Sequence, residues 1–214
     1  MYEQYLSGKD IALVGPAKYL QGQNKGDLID WHDVVVRVNS HKIYGREDYG
    51  SRTDVLYHGV WNAFRKRKQK KLIQELRGIE KCVQWVVFRN SEWQAATVRK
   101  ITPYLGTPWT VIEPEYHDLF KKICPPRGTV NTGVAAIIHL LSFDIESLSV
   151  YGFDFYQTGV FDGHGDPEEN QSTQERNENS HDTGAQIEYL SRLNDERFLP
   201  DNELDAVLKG SAVC

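Results

Sequence analysis

A four-residue aliphatic run, Ile11-Ala12-Leu13-Val14, ends abruptly at Gly15-Pro16, and this junction constrains the chain more than any other feature. Such a run bounded by turn residues reads as a buried strand. A loop spaced by Gly22 and Gly26 follows, then a second run, Val34 to Val38, that stops at Asn39. A strand breaking into a Gly-containing turn is how open α/β sheets bring backbone N–H groups to a phosphate. Taken alone, the pattern fits many nucleotide folds. It disfavours a dinucleotide oxidoreductase: the turn lacks Gly-x-Gly-x-x-Gly, and no acid closes a second strand to hold a ribose.

Further apolar runs predict strands at 55–57, 83–88, 111–112 and 148–151, with helices at 61–77, 91–100, 115–122, 132–141 and 184–193. Strands alternating with helices predict one doubly wound, mostly parallel α/β sheet with helices on both faces. The 132–141 helix is apolar nearly all round, which places it against the sheet. With 214 residues, 40% of them hydrophobic, the chain can bury a sizeable core and is read as a single domain, 1–214. A net charge of −5 gives no global reason to expect nucleic acid. No apolar run approaches the ~20 residues of a membrane span, and no leader-like segment precedes Ile11. Cys82, Cys124 and Cys214 make neither a disulfide framework nor a zinc motif. The basic run from Arg65 to Lys71 reads as the solvated face of a helix whose apolar side is Trp61, Phe64, Leu72 and Leu76, with an anionic acceptor or membrane surface as the sharper alternative. Residues 166–180, DPEENQSTQERNENS, lack aromatics and periodicity and read as a flexible loop; their position beside two candidate site histidines fits an active-site lid.

The ordered set Gly15, Leu20, Gly22, Gly26, Ile29-Asp30, Asp33, Val36-Arg37-Val38-Asn39 and Gly50-Ser51-Arg52-Thr53 resembles the large sialylmotif of the family 29 glycosyltransferases, the sialyltransferases that use CMP-linked sugars. Asn131-Thr132-Gly133 opening an apolar helix, with Val150-Tyr151-Gly152-Phe153 closing the next strand, resembles the small sialylmotif. Two remote segments matching in the right order are much harder to explain by chance than either alone. The resemblance implies a Rossmann-like, GT-A-variant fold. It also implies an inverting enzyme that moves sialic acid from a CMP donor to a glycan or glycolipid hydroxyl, with the CMP-sugar as substrate and no metal or other cofactor. CMP-Kdo as donor and a non-catalytic nucleotide-binding module are the alternatives it leaves open. Eukaryotic members carry an N-terminal anchor and stem, and neither is found in this sequence. That implies a soluble, cytoplasmic bacterial or viral type of enzyme in preference to one of the Golgi lumen, or else a trimmed anchored protein. Animal members join the two motifs by a disulfide. Ile11 and Ile145 stand at the matching places, so packing would replace the link.

Transfer from a CMP donor requires that the nucleotide be held, the leaving phosphate's charge be stabilised and the acceptor hydroxyl lose its proton. The expected cradle is the Gly15-Pro16-Ala17 turn together with the helix start at Asn131-Thr132-Gly133, where free N–H groups and the positive dipole end favour an anion. Asn131 or Thr132 would equally serve as a plain N-cap. By the resemblance, Asn39 and Tyr151-Gly152-Phe153 join the donor site; Asn39 also suits a turn that ends a strand. Pro16 stands where animal members have an Asn, and it brings neither an N–H nor an amide side chain. His181, followed by Gln186 at the usual place of the family's Glu and by Glu188 two residues on, resembles the very small sialylmotif and is the expected general base. Without that likeness it would read as a loop histidine. His164 lies where a third motif places a histidine near the donor, and is the second catalytic candidate against a plain turn. The spacing of Asp162, His164 and Asp166 could suit a metal, but the chain has no Asp-x-Asp and no metal site is expected. His139 reads as a satisfied core residue, and Arg37 and Arg52 as partners of Asp30, Asp33 or Asp54. Trp93, Tyr104 and Trp109 could stack on sugar rings, although burial is the commoner fate of aromatics.

Overall fold

Strand β2 (Val34–Val38, VVVRV) is buried at all five positions, the mark of a strand covered by helices on both faces. In the computed structural model, which describes residues 1–43, 45–60, 66–89, 92–125, 129–161 and 181–210, it lies inside a seven-stranded sheet. Its companions are β1 (Asp10–Val14), β3 (Val55–His58), β4 (Trp85–Phe88), β5 (Trp109–Val111), β6 (Ser147–Tyr151) and β7 (Phe198–Pro200). The order is β5-β4-β3-β2-β1-β6-β7, and every pairing is parallel. On the β1 side, Val14 pairs with Arg37 of β2 and with Tyr151 of β6.

Because side chains alternate along a strand, each strand feeds two cores. Ile11, Leu13, Val36, Val55, Tyr57, Leu148 and Val150 face α1 (Tyr2–Leu6), α6 (Pro114–Ile123), α7 (Thr132–Leu141), α8 (Thr183–Ser191) and α9 (Asn202–Gly210). On the opposite face, Ala12, Val14 and Val35 meet α2 (Gly26–Trp31) and α3 (Arg46–Tyr49). Leu56, Val86 and Phe88 meet α4 (Lys66–Leu76) and α5 (Glu92–Ile101) there. All ten residues of α7 are buried, as its uniform apolarity predicts. On α4, Leu72 and Leu76 are buried while Lys70, from the basic run, is exposed. Ile11 and Ile145 belong to one core cluster, and neither Cys82 nor Cys124 is in a disulfide. No helix among the described residues is long and apolar enough to cross a membrane.

From β1 the chain winds outward to β5, then α6 and α7 carry it back across the sheet to β6, on the other side of β1. The winding therefore reverses between β1 and β6. In open parallel sheets the crevice outside the carboxyl ends of such a strand pair is where ligands bind.

Candidate active site

Gly15, Pro16 and Ala17 leave β1 at this crevice, facing Gly152 and Phe153 at the end of β6. The turn does not offer the N–H groups expected of it. Gly15 N–H donates to the Tyr151 carbonyl (2.8 Å), Ala17 N–H donates to the Gly152 carbonyl (3.0 Å), and Pro16 has none. The N–H groups of Gly152 and Phe153 are also spent: the Tyr19 hydroxyl accepts from both, at 2.7 and 3.2 Å, and itself donates to the Asp201 carboxylate at 2.5 Å. Burial, followed by the Asp201 contact, pushes the Tyr19 phenol up, and burial also raises Asp201. A Cβ on Gly15 would stand 2.3 Å from the Gly152 carbonyl oxygen and 2.9 Å from the Phe153 ring, and one on Gly133 would stand 2.1 Å from the same ring. These glycines admit the Phe153 ring between two segments; the close approach that the spacing foretold is made by the protein itself.

The start of α7 is different. Asn131 caps it, its Oδ1 accepting from Val134 N–H at 2.8 Å. The N–H groups of Thr132 and Gly133 have no acceptor among the described residues, although both residues are buried. Buried donors are almost always paired in folded proteins, and here two N–H groups are left without a protein acceptor at the positive end of the dipole, where negative charge is favoured.

His181 is brought to that helix start by its neighbours. Asp182 caps α8, its Oδ1 accepting from Ala185 N–H at 3.0 Å. Gln186, fully buried, joins the two helices: its Oε1 accepts from Asn131 N–H (2.8 Å) and its Nε2 donates to the Asp182 carbonyl (3.1 Å). A carboxylate could not make the second bond. Glu188, by contrast, pairs with Arg192 on the exposed surface. His181 itself is 7% exposed, with Nδ1 3.4 Å from the Thr129 carbonyl. A carbonyl only accepts, so this contact favours the tautomer of the neutral imidazole that carries its proton on Nδ1.

Two further features stand at the carboxyl edge of the sheet. Asn39 is exposed with φ of 59°, and its Oδ1 accepts from Gly59 N–H at 3.0 Å. After β6, Phe155 and Tyr156 both take positive φ (54° and 68°), a costly conformation for such side chains. Buried Asp154 holds them there by accepting from the N–H groups of Tyr156 and Thr158. Sequence reasoning passed over this loop; the signal available was an Asp just after a strand, poised for an Asx turn. His164, Asp162, Asp166 and the 166–180 segment lie outside the described residues. Among those described, no cluster of three His, Cys, Asp or Glu could hold a metal ion.

The model of glycosyltransferase family 29 (sialyltransferase) matches residues 6–103. The match spans less than half of the chain. Comparison with curated proteins gives no sequence match. Among solved structures, CstII of Campylobacter jejuni in complex with cytidine-5'-monophosphate is similar at a TM-score of 0.55 and 16% identity, over 94% of this chain and 84% of that one. An α-2,3-sialyltransferase from the same organism, in apo form, gives 0.55 and 15%, over 93% and 78%. A mammalian sialyltransferase in complex with Gal-beta-1-3GalNAc-ortho-nitrophenol gives 0.52 and 19%, over 81% and 67%. At these identities the likeness is one of fold.

Much of the segment that resembles the large motif is scaffold. Asp30 accepts from the N–H and hydroxyl of Ser51 and from Arg52 N–H. A Cβ on Gly50, whose φ is 77°, would stand 2.7 Å from that carboxylate. Arg52 pairs with Asp54 at 2.7 Å, as the sequence suggested. Arg37 instead donates to the carbonyls of Tyr49 and Arg52 and to the Thr53 hydroxyl, with burial pushing its guanidinium down to about 10. His139 is the satisfied core residue anticipated: Nδ1 accepts from the Tyr57 hydroxyl and Nε2–H donates to Glu113. Tyr104 and Trp109 are 49% and 45% exposed, so neither is a core aromatic.

Proposed function

We propose that this glycosyltransferase moves sialic acid from CMP-sialic acid to a glycan hydroxyl in one inverting displacement that needs no metal ion, with His181 as the general base. The observation that carries the reading is the pair of N–H groups at the start of α7 that have no acceptor among the described residues, tied through Gln186 to the segment that holds His181. The donor's phosphate would rest on Thr132 and Gly133 N–H, where the helix dipole stabilises the charge that grows as CMP departs. His181 Nε2, unprotonated in the tautomer that the Thr129 contact favours, would take the acceptor proton as the anomeric carbon passes through an oxocarbenium-like state. Asn39 and the residues bordering Phe153 would line the nucleotide. The CMP complex of CstII and the disaccharide complex of the mammalian enzyme support the donor and acceptor classes.

The test is to incubate the purified protein with CMP-sialic acid or CMP-Kdo and a β-galactoside, following CMP release and the anomeric configuration of the product. Turnover with CMP-sialic acid, inversion and indifference to a chelator are expected. His181→Ala should lower turnover by about 10²–10⁴-fold while CMP still binds. Preference for CMP-Kdo would reassign the donor, and a retained configuration or chelator sensitivity would contradict the mechanism.

A further inference from the structure

Arg89 follows β4 directly, at the same carboxyl edge as the candidate site, and is only 3% exposed. Alternation along the strand turns it, like Val87, toward the face covered by α6 and α7. One terminal nitrogen donates to the Val130 carbonyl at 2.5 Å and the other donates to the Thr129 hydroxyl at 2.6 Å. The guanidinium lies 5.6 Å from the Phe120 ring centroid. Its Nε is buried without a hydrogen-bond partner, and no carboxylate pairs with it among the described residues. Burial pushes this guanidinium down to about 10.

A buried cation with no counter-charge is a poor way to gain stability, since a well-packed apolar residue of similar volume does as well or better. What the arginine supplies here is a planar fork, and a fork fixes geometry. Both tines fall on two consecutive residues, and those residues precede Asn131 and the start of α7. The carbonyl of one of them, Thr129, is the group that His181 Nδ1 meets. The segment is thus held from α8 by Gln186 on Asn131 and from the sheet by Arg89 on Thr129 and Val130.

We infer that Arg89 is a positioning residue for the transfer step: its fork fixes Thr129–Val130 so that the Thr129 carbonyl sets the tautomer and orientation of the His181 ring. The inference rests on the proposed role of His181 as base, and Arg89 itself need not touch either substrate.

Arg89→Lys keeps the charge and most of the volume while losing the fork; Arg89→Met removes the charge as well. Misplacing a catalytic group by about an ångström can cost roughly 100-fold in rate, so kcat should fall by about 10- to 100-fold in Arg89→Lys and at least as far in Arg89→Met, with CMP affinity unchanged. Nitrogen-15 chemical shifts of the His181 ring give a readout that loss of stability alone would not move. The wild type should show the Nδ1–H form, and Arg89→Lys a mixture of tautomers. Thr129→Val, which removes the hydroxyl that accepts from Arg89 and donates to the Val130 carbonyl while leaving the Arg89–Val130 contact, should act in the same direction, more weakly, and non-additively with Arg89→Lys. Wild-type kcat in folded Arg89→Lys and Arg89→Met, or an unaltered tautomer, would overturn the inference. A fall in CMP affinity matching the fall in kcat would also overturn it, placing Arg89 in the donor cradle. Failure of the underlying reading is separable, because it would appear as wild-type turnover in His181→Ala.

Discussion

The turn after β1 and the first turn of α7 read alike in the sequence, each a glycine-bearing break beside an apolar run, yet the structure uses them in opposite ways. At Gly15–Ala17 the protein fills its own cradle: two N–H groups go to backbone carbonyls, and a proline supplies none. At Thr132–Gly133, both buried residues, two N–H groups have no acceptor among the described residues. Both glycines are nonetheless indispensable sterically, because the Phe153 ring lies against each. A glycine reports that something comes close; only the fold says whether that is a ligand or a phenyl ring.

Four substitutions would break or sharpen this contrast. The largest loss of stability is expected for Gly15→Ala, whose Cβ would meet a backbone carbonyl as well as the ring; overpacking of this kind costs about 1–3 kcal/mol. Gly133→Ala should cost somewhat less, because the atoms nearest its Cβ all belong to the Phe153 ring and none to the backbone. Adding Phe153→Leu should then recover stability in Gly133→Ala and leave Gly15→Ala largely unrescued, a difference that denaturant melts would register. Equal rescue of both would mean the two turns are not distinguished as described. Next in size is Gln186→Leu, which orphans Asn131 N–H and the Asp182 carbonyl at a cost of about 1–3 kcal/mol. It should also weaken turnover by loosening His181 from α7.

The smallest effect concerns pH. Burial lowers the His139 pKa, with Glu113 partly opposing, and burial lowers that of His58 to about 4. A histidine whose folded pKa lies below its unfolded value near 6.5 binds fewer protons when folded, so it weakens the fold as pH drops below that value. Stability should therefore be level above neutrality and decline between about pH 6.5 and 4. Because His139 ties α7 to β3, amide exchange under acid should quicken in α7 before it does in the Gly15 turn. His139→Gln should flatten part of the decline in thermal melts.

The sheet was legible because its strands are unbroken aliphatic runs, and α7 because Asn131-Thr132-Gly133 opens a helix that is buried at all ten of its positions. Strand β7 escaped notice: Phe198-Leu199-Pro200 is three residues long, contains a proline and leaves Leu199 exposed. Helix α9 was missed for a related reason, as only Leu204 and Leu208 are buried in it. Within the site, the helix start and His181 were readable, but the links between them were not. Gln186 meets a backbone group 55 residues away, and this residue, standing where the family usually has a Glu, is the one that joins the two segments. Arg89, a lone arginine after a strand, carries no local signal that it reaches Thr129. Arg37 drew attention as a partner for carboxylates and instead holds carbonyls, a choice no local pattern encodes.

The most direct measurement is the affinity for CMP, by calorimetry, of Thr132→Pro beside Pro16→Ala. Proline is tolerated at the first position of a helix, and Asn131 already has the extended backbone (ψ of 166°) that precedes a proline readily. Thr132→Pro therefore deletes the Thr132 N–H with little change to the fold. A hydrogen bond to a charged group contributes about 1.5–3 kcal/mol, so CMP should bind roughly 10- to 150-fold more weakly at a similar melting temperature, while Pro16→Ala changes affinity little. Wild-type affinity in Thr132→Pro, or a large change confined to Pro16→Ala, would contradict the account.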